Sequence, residues 1–292
     1  MKKAAAILCF LASFAYAQTR PAITGIAFVR MYAADQTAST AFYKDKLGFD
    51  QTIKGNIAHY AVNDSQWLEV TALPSPAPQS RIAAIAFTTR NAAGLEKYLE
   101  AHSVTIDQPL RNGSFAVHDP EGQLVIFVQQ RPASSKAGSP RATARRIIHT
   151  GFWVHDHAKE DHFWHDILGF RPLWFGGQHD GEINYVSSQV PDGTDWIEYM
   201  LGRDANPNPH SLGSMNHFSL GVAHMNDVVQ ALARNGCSGP ECRKTQMGRD
   251  GKIQLNLFDP DLTRVEYMEF KPSGPTCCSP FTGPPPAEKE NR

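Results

Sequence analysis

Two stretches of the chain repeat one another: Ala41-Phe42-Tyr43-Lys44-Asp45-Lys46-Leu47-Gly48-Phe49, and His162-Phe163-Trp164-His165-Asp166-Ile167-Leu168-Gly169-Phe170. In each, aromatic and aliphatic residues at helical spacing run into Leu-Gly-Phe. The glycine suits a left-handed residue just past a helix end, and the phenylalanine opens the next strand. Such a repeat constrains the fold more than composition does. Upstream lie strand-like runs, Ile23–Met31 and Ile147–Val154, and downstream come short strands ending in Trp67-Leu68-Glu69-Val70 and Trp196-Ile197-Glu198-Tyr199. A second pair of segments follows the same plan. Strands Ile82–Thr89 and Asn216–Val222 lead into helices Ala92–Ala101 and Met225–Asn235, and each segment closes on an Asp-Pro turn and a last strand, from Asp119 and from Asp259. Leu262 stands where a glycine is expected in the second of these turns, which predicts a different turn type there.

The pattern predicts four βαβββ modules of an α+β fold, paired into two domains with curved mixed sheets, at residues 21–131 and 145–270. Two domains also suit a length of 292 residues. Residues 132–144, rich in Pro, Ser, Ala and Arg without an apolar period, read as a linker. The Pro-rich tail at 271–292 reads as disordered. Lys plus Arg number 28 against 29 for Asp plus Glu, so no basic field is available to follow a phosphate backbone, and nucleic acid is excluded as a partner. The only long apolar run is N-terminal. Lys2 and Lys3, the apolar Ala4–Phe14 and the small residues Ala15 and Ala17 form a cleavable export signal at 1–17, too short for a membrane span. The mature protein is therefore expected in the periplasm or outside the cell.

Export leaves four cysteines. Cys237 and Cys242 are placed to close a small loop in an oxidising compartment, although the sequence alone leaves their pairing open. Zinc is the weaker reading of that pair, for want of a second pair or a nearby His. Cys277 and Cys278 are adjacent, and adjacent cysteines seldom bond to each other.

The helix-Leu-Gly-Phe signature, repeated with the Asp-Pro turns over about residues 23 to 270, resembles the vicinal oxygen chelate superfamily of glyoxalase I, bleomycin-resistance proteins and type I extradiol dioxygenases. The resemblance implies cup-shaped sheets around one divalent metal, with each module giving a ligand from its first strand and another from its last. Carried onto this chain, the ligands are His149 and Glu198 of the third module, and His217 and Glu266 of the fourth. Each His precedes its Glu by 49 residues. In the first half, Phe28, Ala84 and Ile126 stand at three of these positions and only Glu69 survives, so that half reads as a scaffold.

Two imidazoles and two carboxylates suit Fe, Mn, Ni, Co or Zn without choosing among them, and leave positions for a small substrate with vicinal oxygens. The quartet resembles that of glyoxalase I, where a ligand Glu moves a proton beside a carbonyl; Glu266 and Glu198 are then the candidate bases. This implies a lyase, isomerase or epimerase. A ring-cleaving dioxygenase, as the family implies it, needs an acid/base His and a Tyr shortly before the last Asp-Pro turn, and Met247–Phe258 holds neither. A non-catalytic binding protein of the bleomycin-resistance type is the third alternative, and a homodimer stays open. Tyr185 and Tyr199 are candidates to face a substrate. His155, His157, His162 and His165 read as a solvated helix face, and Phe152, Trp164, Trp174, Phe175 and Trp196 as core.

Overall fold

The computed structural model describes residues 19–132, 138–202 and 206–288. The expected export signal lies outside the described residues. The expected strands and helices are present with small shifts at their ends. Each half forms one eight-stranded sheet, in the orders β2-β3-β4-β1-β5-β8-β7-β6 and β10-β11-β12-β9-β13-β16-β15-β14. The first half runs β1 (Ile23–Ala33), α1 (Gln36–Thr40), β2 (Asp50–Lys54), β3 (Ile57–Ala61) and β4 (Trp67–Ala72), then β5 (Ile82–Thr89), α2 (Ala92–Ala101), β6 (Gln108–Arg111), β7 (Ser114–His118) and β8 (Leu124–Gln129). The second half repeats this as β9 (Ile147–Trp153), α3 (His157–Asp161), β10 (Arg171–Gly176), β11 (Tyr185–Gln189) and β12 (Trp196–Met200). An added α4 (Pro209–Met215) precedes β13 (His217–Val222), α5 (Met225–Arg234), β14 (Thr245–Met247), β15 (Ile253–Phe258) and β16 (Arg264–Glu269). Two modules thus meet at their first strands, β1 against β5 and β9 against β13, both antiparallel.

The repeated signature has a local cause. Asp35 and Asp156 cap α1 and α3 by accepting from Thr37 N and Lys159 N. Each helix then widens into a π-helical turn, with Leu47 N donating to Phe42 O and Leu168 N to Phe163 O. Gly48 and Gly169 follow at φ of 77° and 75°, as the sequence predicts for a helix end.

The two halves share an apolar core. Phe87 of β5 packs edge-on against Trp164 and Phe170, with ring centroids 5.6 and 5.4 Å away. Tyr43 donates to Asp259 Oδ2 at 2.7 Å. At the seam, Ile26 N donates to Asp195 Oδ2 at 2.8 Å, while Gln66 Nε2 donates to Ile147 O at 2.9 Å. The described end of the linker belongs to this seam too: Ala144 is buried, and Thr143 Oγ1 donates to Leu47 O at 3.0 Å.

Three expectations are corrected. The tail is ordered through Glu288 and follows the open edge of β10. Thr282 N donates to Leu173 O at 3.0 Å, Phe175 N donates to Ser279 Oγ at 2.9 Å, and Phe281 stacks on Trp174. An unpaired strand edge offers backbone partners that a Pro-rich segment can use without any apolar period. Cys277 and Cys278 are bonded to each other within this tail, as Cys237 is to Cys242. Finally, the turn at Leu262 is of the same type as its partner. Leu262 N donates to Asp259 O as Gly122 N does to Asp119 O, and Leu262 takes φ of 68° where Gly122 has 83°.

Candidate metal centre

Side chains alternate along a strand, so His149 and Gly151 on β9, Glu198 on β12, and Arg264 and Glu266 on β16 turn to the inside of the second cup. The ladders then bring the expected residues together. Gly151 is the partner of both Glu198 and His217, and Ser219 is the partner of both His149 and Glu266. His149 Nε2 lies 3.1 Å from His217 Nε2 and 3.1 Å from Glu266 Oε2. Glu198 Oε2 stands slightly apart, 3.7 Å from His217 Nε2. The trio of His149, His217 and Glu266 is the tight cluster, and Glu198 is the more open member, with 13% of its side chain exposed against 3% for Glu266.

The arrangement fits a cation. His217 Nδ1 donates to Met215 O at 2.9 Å, which leaves Nε2 with its lone pair turned inward. His149 stacks on Trp196, with ring centroids 4.7 Å apart. Glu266 Oε2 is buried without a well-formed hydrogen bond. Imidazole and carboxylate lone pairs converging at about 3 Å repel one another unless a proton or a metal lies among them. The donors suit a mixed nitrogen and oxygen site for Fe, Mn, Co, Ni or Zn.

The two carboxylates are shifted in opposite net directions. Burial raises the pKa of Glu198, with the charge of Glu266 adding to the effect. Glu266 meets the same desolvation, yet Arg264 and the two imidazoles outweigh it and hold its carboxyl far below the usual range. His217 is pushed well below the ordinary imidazole value by burial and by Arg264, which keeps it neutral. Beside the quartet opens a cleft of about 540 Å³, lined among others by Tyr185, Glu198, His210, Arg249, Arg264 and Glu266. Small-molecule sites run to roughly 300–1,000 Å³, so one compact substrate fits.

The first cup is filled instead. Phe28, Ala84 and Ile126 occupy the matching ladder positions and pack in one apolar cluster, with Phe28 stacked on Trp67. Glu69 remains, bound by Arg30 Nε at 2.6 Å and by Trp67 Nε1 at 2.8 Å.

The other sequence candidates go elsewhere. His157 and His165 pair with Asp161, and His162 pairs with Asp166, along the helix face. His155 reaches Glu121 of the first half at 2.7 Å. Tyr185 faces the cleft, whereas the buried Tyr199 lies among Phe152, His157 and His165. Phe152, Trp164, Trp174 and Trp196 are core, but Phe175 is 41% exposed. Arg264 and His210 were not singled out from the sequence. Arg264 carried a signal, since it lies two residues before a ligand on the same strand; His210 sits on α4, outside the repeat.

The family model of the glyoxalase/bleomycin resistance protein/dioxygenase superfamily matches residues 25–127 and 146–267. No curated protein matches the chain in sequence. Among solved structures, a variant of homoprotocatechuate 2,3-dioxygenase from Brevibacterium fuscum is similar, with a TM-score of 0.65 and 19% identity, over 89% of this chain and 76% of that one. The native homoprotocatechuate 2,3-dioxygenase of Arthrobacter globiformis gives a TM-score of 0.64 at 19% identity, over 91% and 88%. The complex of the B. fuscum enzyme with 3,4-dihydroxyphenylacetate gives 0.64 at 18%, over 91% and 84%. At this identity the likeness is one of fold.

Proposed function

The chain belongs to the glyoxalase/bleomycin resistance protein/dioxygenase superfamily, and from that premise we propose that its second half is a divalent-metal enzyme that moves a proton on a small substrate with two adjacent oxygens. The reaction is then that of a lyase, isomerase or epimerase. One observation carries this reading: His149, His217 and Glu266 form the tight cluster, while Glu198 stands 3.7 Å from His217 Nε2 and is the more exposed carboxylate at the cleft, where burial raises its basicity. Carboxyl groups set apart in this way divide the work of ligand and acid/base.

A divalent cation held by His149, His217 and Glu266, with Glu198 beside it, would supply Lewis-acid stabilisation for negative charge on a substrate oxygen. The residues do the rest. Glu198, in its ionised form, takes the proton from the carbon next to that oxygen and returns it to the neighbouring carbon, as the hydroxyl proton passes to the former carbonyl oxygen; in an epimerase a proton returns to the same carbon instead. Ser187 Oγ, 3.4 Å from Glu198 Oε1, steadies the carboxyl between the two transfers. The Met215 carbonyl fixes the tautomer of His217, and Trp196 fixes the plane of His149.

A second reading, ring cleavage of a catechol, is favoured by two features. The tight trio is by itself a two-His, one-carboxylate set, and His210 and Tyr185 bring to the cleft an imidazole and a phenol that Met247–Phe258 does not supply. The test is to incubate metal-loaded protein in deuterium oxide with a panel of α-hydroxy ketones and α-hydroxy acids, and in parallel with catechols under oxygen monitoring. Deuterium uptake without oxygen consumption is expected. Glu198→Gln should lower that uptake by roughly 10²–10⁴-fold while the metal stays bound. Oxygen consumption with ring opening, and no exchange on any member of the panel, would replace the first reading by the second.

A further inference from the structure

Arg264 is the partner of His217 in the β13–β16 ladder, and its guanidinium sits on the site itself. Nη2 donates to His217 Nε2 at 2.8 Å, and Nη1 lies 3.6 Å from Glu266 Oε1. Nε is buried with no hydrogen-bond partner, although the side chain as a whole is 17% exposed and lines the cleft. Because the Nδ1 proton of His217 is committed to Met215 O, Nε2 has one lone pair to give. That lone pair accepts from Arg264 or it binds a metal; it cannot do both.

We propose that Arg264 competes with the metal for His217 and, once displaced from it, becomes the anion-binding group of the cleft. The substrates are then vicinal-oxygen compounds that carry a carboxylate, namely α-keto and α-hydroxy acids. The inference rests on the metal reading above and narrows it to a substrate class. Two considerations support it. A guanidinium with a buried, unpartnered Nε at the wall of a cleft calls for an anion, which it grips through two parallel hydrogen bonds. The local charges agree. Lys252 is paired with Asp250 at 3.5 Å and Arg249 with Asp180, while Glu266, the carboxylate beside Arg264, is also a ligand for the cation, so among the described residues lining the cleft Arg264 is the cation that a bound carboxylate would meet.

The test uses binding rather than turnover. Zinc affinity is measured by calorimetry for the wild type, Arg264→Gln and Arg264→Lys. The zinc-loaded proteins are then titrated with pyruvate and with methyl pyruvate, which keeps the adjacent oxygens and loses the charge. Arg264→Gln should bind zinc more tightly than the wild type and pyruvate roughly 10- to 100-fold more weakly. Methyl pyruvate should not distinguish the two, and Arg264→Lys should recover only part of the pyruvate affinity. Zinc binding to Arg264→Gln that is no tighter, or pyruvate binding that ignores the substitution in fully loaded protein, would overturn the proposal and leave the metal site standing. A wild-type protein that takes up no zinc, iron, manganese, cobalt or nickel would remove the metal reading and this inference together.

Discussion

The ring of His217 occupies the space that a side chain at position 151 would need. A β-carbon on Gly151 would come within 2.0 Å of His217 Cε1 and 2.4 Å of Nδ1. The equivalent position in the first half is Arg30, which faces Ala84 and Glu69 in the same register. Gly151 thus leaves room for the imidazole across the ladder, whereas Arg30 at the matching place holds the carboxylate of Glu69. Gly151→Ala should push His217 off its place and weaken metal binding by more than tenfold, at a stability cost of about 1–3 kcal/mol, as overpacking usually costs. Metal titration beside thermal denaturation checks this; unchanged affinity would show that the ring relaxes without loss of the site. Sequence reasoning reached His149, His217, Glu198 and Glu266 because their spacing repeats. It passed over Gly151 and Arg264 because a glycine's meaning depends on what lies across the ladder, and because an arginine beside a ligand reads as an exposed strand residue until the cup closes round it.

The elements that join the halves carry their own chemistry. The turn from Asp119 to Gln123 docks on α3, where Glu160 accepts from Glu121 N at 3.0 Å and from Trp164 Nε1 at 2.7 Å. Burial pushes Asp119 up to about 7, and burial together with the charge of Asp119 pushes Glu160 up to about 8. Both groups hold protons in the folded chain that they lose near 4 in the unfolded one, so their contribution is fully present below about pH 4 and is lost as pH rises through 7 and 8. Glu160→Gln should flatten that fall, which chemical denaturation at a series of pH values would show; an unchanged slope would mean the pair does not titrate there. The second Asp-Pro turn is strained instead. Leu262 sits at φ of 68°, a region that costs an L-residue roughly 1–2 kcal/mol. Leu262→Gly should stabilise the protein by a few tenths to about 1 kcal/mol, the gain being reduced by the glycine's greater freedom when unfolded. The sequence shows that a glycine is missing from this turn, but the hydrogen bonds of Asp259 hold the turn in its form regardless. Thr263 N donates to Asp259 Oδ1 at 2.8 Å, as Gln123 N does to Asp119 Oδ1 at 2.7 Å.

Across the whole molecule, the four modules were legible because each repeats the same strand and helix periods. The way the halves share a core was less so, since Tyr43 with Asp259 and Phe87 with Trp164 are distant in sequence. The order of the tail is not legible in the sequence, because it comes from the edge of β10 rather than from any pattern of its own. Gln189 Nε2 donates to Pro284 O at 2.9 Å, and Arg146 Nη1 to Ala287 O at 2.7 Å, so the strap reaches from the cleft rim to the seam. A chain ending at Lys271 should melt at a lower temperature and expose β10 to proteolysis; equal melting and cleavage would assign the tail no part in stability. The central claim is that the second cup alone is a metal centre. It is tested most directly by elemental analysis of the purified full chain after dialysis against Fe, Mn, Co, Ni and Zn salts, alongside His149→Ala, Glu266→Ala and, as the first-half control, Glu69→Ala. The account expects one metal ion per wild-type and Glu69→Ala chain, and none on His149→Ala or Glu266→Ala with the far-ultraviolet circular dichroism unchanged. Stoichiometric metal on His149→Ala and Glu266→Ala, or its loss from Glu69→Ala, would contradict it.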